Sequence, residues 1–179
     1  MMDESIKIII SGLDNAGKTS ILTALDKKYD FRKDVLELKP TYKVEYHTTD
    51  FLDRKVYFWD MGGQLKFRKQ YQNRADMYFA DTDLLVYIMD IKDEDSIEDS
   101  LDYLNSILDY FDETNQDVPL IVSFHKYDPE LRAKEEVNDR IDEIRETIMS
   151  NYPSLKILFQ HTSIYDIISI VQLISYGLS

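Results

Sequence analysis

Residues 12–19 read Gly-Leu-Asp-Asn-Ala-Gly-Lys-Thr, with two glycines and a lysine at the offsets G-x-x-x-x-G-K-[ST]. The run follows the apolar stretch Ile8-Ile9-Ile10 and opens a helix-like pattern at Lys18. Glycines let such a backbone curl with its N–H groups inward, and a helix N-terminus adds its dipole, so the loop suits a polyphosphate. Asp14, Asn15, Ala16, Gly17, Lys18, Thr19 and Ser20 are then the phosphate-lining residues. Lys18 brings a full charge to the β- and γ-phosphates, and the Thr19 hydroxyl is a candidate Mg²⁺ ligand. The bland alternative is a glycine turn that binds nothing.

A second cluster is Trp59-Asp60-Met61-Gly62-Gly63-Gln64. An aspartate at a strand end facing the loop, Asp60, can hold the water shell of a metal ion. Gly63 lets the backbone donate an N–H to a γ-phosphate, and Gln64 is placed to orient an attacking water. Trp59 reads as packing. Pro40-Thr41 stands just before an expected strand; the Thr41 hydroxyl can reach the metal and its N–H the γ-phosphate, unless it is an ordinary strand-edge threonine.

The third cluster is His125-Lys126-Tyr127-Asp128, after the apolar run Leu120–Phe124. A carboxylate accepts from guanine N1–H and its exocyclic amine, whereas adenine offers an acceptor at N1. Asp128 is therefore a candidate base discriminator, because the wrong base leaves a buried carboxylate unpaired. Lys126 can lay its aliphatic stem on the base. Thr162-Ser163-Ile164, after the last expected strand, can offer a backbone N–H to guanine O6; an N-cap role for Ser163 explains that segment equally well.

These residues need elements to position them. Ile6–Ser11, Tyr42–Thr48, Lys55–Asp60, Leu84–Asp90, Leu120–His125 and Leu155–His161 read as strands. Lys18–Tyr29, Leu65–Ala75, Ser96–Phe111, Val137–Asn151 and Tyr165–Tyr176 read as helices, the last with Ile167, Ile168, Val171 and Ile174 on a core stripe. Alternation of this kind predicts an α/β fold: an open, mostly parallel six-stranded sheet with one antiparallel edge strand and helices on both faces. No linker or repeat interrupts it, and residues 1–179 read as a single domain.

The 179 residues carry a formal net charge of −13, which argues against nucleic acid as a partner. An anionic ligand must be held by local positive groups against that field. The chain has no cysteine, which excludes disulfides and thiolate metal sites and fits a reducing, cytoplasmic setting. No apolar run is long enough to span a bilayer, and neither myristoylation nor prenylation signals stand at the ends given. The expectation is no intrinsic membrane anchor, with any recruitment through partners.

Taken in order, these segments resemble the Ras-superfamily small GTPases. Residues 12–20, Pro40-Thr41 and residues 59–64 are most similar to the Arf group, and residues 124–128 and 162–166 to the Rag group, where histidine commonly opens the guanine motif. The resemblance implies GTP/GDP and Mg²⁺ as ligands, with Thr19 and Thr41 on the metal and Asp60 reaching it through water. It implies Gly63 as γ-phosphate sensor, Gln64 as the catalytic residue, and guanine contacts from His125, Lys126, Asp128, Ser163 and Ile164. Segments 34–41 and 62–74 would reorder between GTP and GDP states and meet effector, exchange-factor and GTPase-activating proteins. The acylated helix of the Arf group and the dimer-forming second domain of the Rag group have no counterpart here, and homo- or heterodimer formation stays open.

These residues bear on three functions. The first is a switch that cycles between GTP and GDP. It offers no obvious arginine finger, Arg32 and Lys33 reading as solvated charge, so intrinsic turnover of roughly 10⁻⁴–10⁻³ s⁻¹ is expected. The second is a nucleotide-holding scaffold with negligible hydrolysis, which has no need of Gln64. An ATP-using kinase is the third; Asp128 and the lack of an acceptor lid argue against it.

Overall fold

Ile8 and Ile10 face one way and Ile9 the other, and all three are fully buried, so the first strand must lie between two layers. The computed structural model describes residues 6–26, 43–51 and 54–177. Its elements are β1 (Ile6–Ser11), α1 (Lys18–Asp26), β2 (Val44–Phe51), β3 (Arg54–Met61), α2 (Leu65–Asn73), α3 (Ala75–Phe79), β4 (Leu84–Asp90), α4 (Ile97–Thr114), β5 (Leu120–His125), α5 (Glu135–Asn151), β6 (Ile157–Thr162) and α6 (Ile167–Gly177). The strands form one six-stranded sheet in the order β2-β3-β1-β4-β5-β6. Every neighbouring pair is parallel except β2 with β3, so the antiparallel edge strand and the expected fold class are both present.

Period-two alternation divides the core. Ile9, Tyr87, Met89, Val122 and Phe124 pack with α2, α4 and α5 on one face. Ile8, Ile10, Val86, Ile88 and Ile121 pack with α1 and α6 on the other. Each fully buried aliphatic side chain is worth about 2 kcal/mol, so a one-residue slip would be costly and the register is fixed. The carboxyl ends of β1, β3, β4, β5 and β6 then open on one edge, where doubly wound sheets hold their ligands.

Two expectations need correction. The helix expected over 65–75 ends at Asn73; Arg74, at φ −135° and ψ 45°, breaks the chain before α3. On α6 the buried residues are Ile170, Leu173 and Ile174, while Ile168 is 65% and Val171 42% exposed. That helix is apolar on more than one side, so periodicity could not choose the face that α1 and the sheet cover. Trp59 is half-buried, edge-on to Tyr46 at 4.9 Å with the Lys7 ammonium 4.1 Å above its ring.

Candidate functional site

The phosphate-type loop leaves β1 and enters α1 with positive φ at Gly12 (146°), Asn15 (60°) and Gly17 (102°). Asparagine tolerates that region and glycine favours it. A helix's first amides have no intrahelical acceptor, and α1 begins at Lys18, so its positive end adjoins the loop. Lys18 is buried, and its ammonium donates to the carbonyls of Gly12 at 3.1 Å and Leu13 at 2.7 Å. Burial pushes the Lys18 ammonium down to about 8, opposed by the nearby Asp60 and Asp14 carboxylates. Such an amine gains its missing stabilisation from any anion placed in the loop.

The end of β3 lies against this loop. The Thr19 hydroxyl donates to Asp60 Oδ2 at 2.5 Å, and Asp60 is fully buried. These are hard oxygen donors of the kind Mg²⁺ accepts. A Cβ on Gly63 would stand 2.2 Å from the Asp14 nitrogen and from the Leu13 carbonyl carbon. Only glycine allows that approach, so the segment after β3 touches the loop backbone to backbone. Gln64 caps α2 in an extended conformation; its carbonyl accepts from the Phe67 and Arg68 amides, and its side chain makes no cap hydrogen bond. Arg68, nearly buried, holds Asp99 of α4 with two hydrogen bonds, at 3.0 and 2.8 Å.

At the ends of β5 and β6 the third cluster assembles. His125 is 1% exposed, and burial, helped by the Lys126 charge, pushes its ring down to about 3. The imidazole is therefore neutral near pH 7. Its Nδ1 meets Thr162 Oγ1 at 2.8 Å, and that hydroxyl also meets Ser123 Oγ at 2.6 Å. Lys126 adopts φ 61°, a costly conformation for a non-glycine residue and one that clusters at functional sites. It aims Nζ at the Asn15 carbonyl, 2.9 Å away, and at Asp90 Oδ2 at 2.5 Å. The base loop and the phosphate loop are joined through that ammonium.

Asp128 is 4% exposed. Ser163 Oγ donates to its Oδ1 at 2.6 Å, and Lys92 Nζ to its Oδ2 at 2.5 Å. The Ser163 hydroxyl also accepts from the Tyr165 amide at 3.1 Å, so it braces Asp128 and a local turn rather than capping a helix. Ile164 follows, half-buried against the core shared by α1 and α6.

The structure thus brings Asp14, Asn15, Ala16, Gly17, Lys18, Thr19, Ser20, Asp60, Gly63 and Gln64 to one end of the site. It brings His125, Lys126, Asp128, Ser163 and Ile164 to the other. Thr41 and the whole of segment 34–41 lie outside the described residues. Sequence reasoning missed Asp90 and Lys92, and it gave the Thr162 hydroxyl no part in holding His125. Lys92 sits among the acids of residues 90–95, and its position two residues past a buried strand was the available signal.

Comparison with known proteins bears on the family and the fold. The family model described as Arf, the ADP-ribosylation factor family, matches residues 1–167. ADP-ribosylation factor-like protein 3 of Chlamydomonas reinhardtii is 35% identical over 124 residues, which are 68% of this chain and 63% of the relative. The chain therefore covers less than two thirds of that relative. ADP-ribosylation factor-like protein 1 of Saccharomyces cerevisiae is 30% identical over 141 residues, 78% of this chain and 71% of the relative. Among solved structures, the Arl6 BBS3 small GTPase from Trypanosoma brucei with bound nucleotide analogue GppNp matches with a TM-score of 0.75. Its identity is 15%, over 97% of this chain and 95% of that one, a likeness that speaks to the fold alone.

Proposed function

The chain belongs to the ADP-ribosylation factor family of Ras-superfamily small GTPases, and from that premise we propose that it is a guanine-nucleotide switch that binds GTP and GDP in turn and hydrolyses GTP slowly. The observation carrying this reading is the Lys126 ammonium, which binds the Asn15 carbonyl of the phosphate loop beside the buried Asp128 carboxylate. A polyphosphate in the loop and a base at Asp128 belong to one ligand of nucleotide length.

In this reading Lys18 exchanges the carbonyls of Gly12 and Leu13 for phosphate oxygens, while the loop amides and the start of α1 hold the remaining charge. Thr19 and Asp60, with Thr41, are the residues that would hold Mg²⁺. When bound, that ion neutralises phosphate charge as the terminal phosphoryl group leaves. Gln64, at the mouth of the site, orients the attacking water. The neutral His125 ring keeps the base loop seated on Gly17. Segment 62–74, with Leu65 54% exposed, is the proposed docking face for effectors and regulators, together with 34–41.

The test is base exchange at Asp128. Asp128→Asn turns one carboxylate oxygen into a donor, so affinity moves from guanosine to xanthosine diphosphate, which presents an acceptor in place of the exocyclic amine. An Asp128→Asn variant that folds yet keeps the guanosine preference removes Asp128 from the role. Wild-type chain that binds no guanosine nucleotide removes the whole reading.

A further inference from the structure

Lys92 and Ser163 divide the Asp128 carboxylate between them, one oxygen each. The two partners differ in kind. Ser163 is buried and neutral, and its other bond is to the backbone of its own turn. Lys92 is an ammonium on a side chain 41% exposed, against 6% for Asp128. Hydrogen bonding to Asp128 raises the Lys92 ammonium above its ordinary value, so Lys92 stays charged and the pair is charge-assisted. Glu130 Oε1 stands 3.6 Å from the same nitrogen and is 65% exposed, a second acceptor within easy reach.

We propose that Lys92 sets base specificity by occupying the Asp128 oxygen that a two-donor base needs. The inference rests on Asp128 being the base-reading carboxylate. Guanine brings two adjacent donors, N1–H and the exocyclic amine, and satisfying both takes both carboxylate oxygens. Hypoxanthine brings N1–H alone. One donor can use the second lone pair of Oδ1 beside Ser163 and leaves Lys92 where it is. Guanine must also bring its amine to Oδ2, where a second lone pair remains but the amine's positive hydrogens meet a full ammonium charge instead of a neutral hydroxyl, so Lys92 swings toward Glu130. The exocyclic amine then contributes less to affinity than it would at an uncontested carboxylate. The chain discriminates weakly between guanosine and inosine nucleotides, and Lys92 is the reason.

The experiment is calorimetric titration of the nucleotide-stripped full chain with GDP and with IDP, for wild type, Lys92→Met and Lys92→Gln. Lys92→Met keeps the aliphatic stem and removes the competitor. GDP binding tightens by about tenfold, the worth of one modest charge-assisted hydrogen bond, while IDP affinity holds within about twofold. Lys92→Gln, which keeps a donor without the charge, falls between the two. Unchanged GDP affinity in Lys92→Met overturns the inference and leaves the guanine reading standing. Weaker GDP binding overturns it too, since Lys92 would then be a positioning residue for Asp128. Equal tightening for GDP and IDP also overturns it, because the effect would not be tied to the exocyclic amine. If Asp128→Asn leaves base preference unmoved, the underlying reading fails and this inference with it. Thermal melts of each variant confirm that the comparisons are between folded chains.

Discussion

The His125 imidazole rests directly on the α-carbon of Gly17: a Cβ there would stand 2.6 Å from His125 Cδ2 and 2.7 Å from Nε2. The ring's far side is fixed by Thr162. Contact and conformation therefore make separate demands on Gly17, since its φ of 102° is also unfavourable for any residue with a side chain.

Gly17→Ala should destabilise the chain by about 3 kcal/mol, combining backbone strain with overpacking against a buried ring. Urea denaturation measures it. A loss under about 0.5 kcal/mol, the size of an ordinary surface change, would mean the ring moves aside freely.

Acid stability should depend on His125. Its ring titrates at about 3 when folded and at 6.5 when unfolded. Above 6.5 it is neutral in both states. As pH falls through that window, the unfolded chain takes a proton that the folded chain refuses, and stability drops by up to about 1.4 kcal/mol per pH unit. Between pH 6.5 and 5 the wild type should lose about 2 kcal/mol more than His125→Asn. Denaturation curves at the two pH values check this, and equal losses would place a charged or solvated imidazole there.

Nucleotide affinity should weaken in alkali through Lys18. With the ammonium at about 8 in the chain by itself, a bound polyphosphate raises it, so below pH 8 Lys18 is already charged and affinity is flat. Above pH 8 binding must also take up a proton, and affinity falls by up to about tenfold per unit. Calorimetry in buffers of different ionisation enthalpy at pH 9 reads that proton directly, and Lys18→Met should abolish it along with most of the binding.

Hydrolysis separates a switch from a scaffold at Gln64. Single-turnover decay of bound labelled GTP is expected on the order of 10⁻⁴–10⁻³ s⁻¹, and Gln64→Leu should slow it at least tenfold while leaving GDP affinity unchanged. Identical decay in both proteins would favour a chain that holds nucleotide without turning it over.

Much of the fold was legible because β1, β4 and β5 are covered on both faces, and unbroken runs such as Ile8-Ile9-Ile10 and Leu120-Ile121-Val122 admit few other readings. The two loops at opposite ends of the site were legible through glycine spacing and through charged residues placed directly after buried strands. Asp90 and Lys92 were not, because their roles arise across the sheet edge, from β4 toward the loop after β5. No local pattern records such a pairing. The outward faces of Ile168 and Val171 were hidden for a related reason: α6 is apolar nearly all round, and its exposed side is decided by where α1 lies.

Gly63 seated on Leu13 and Asp14 turns the two backbones into a closed seam with no room for even a methyl group. Anything the size of an oxygen atom driven between them acts as a wedge. The chain after β3 has to lift, and Gln64, Phe67 and Arg68 are carried on that lever. Because Arg68 is held to Asp99 by two hydrogen bonds, a lift of that segment would pull on the first turn of α4, a helix the intruding group never touches.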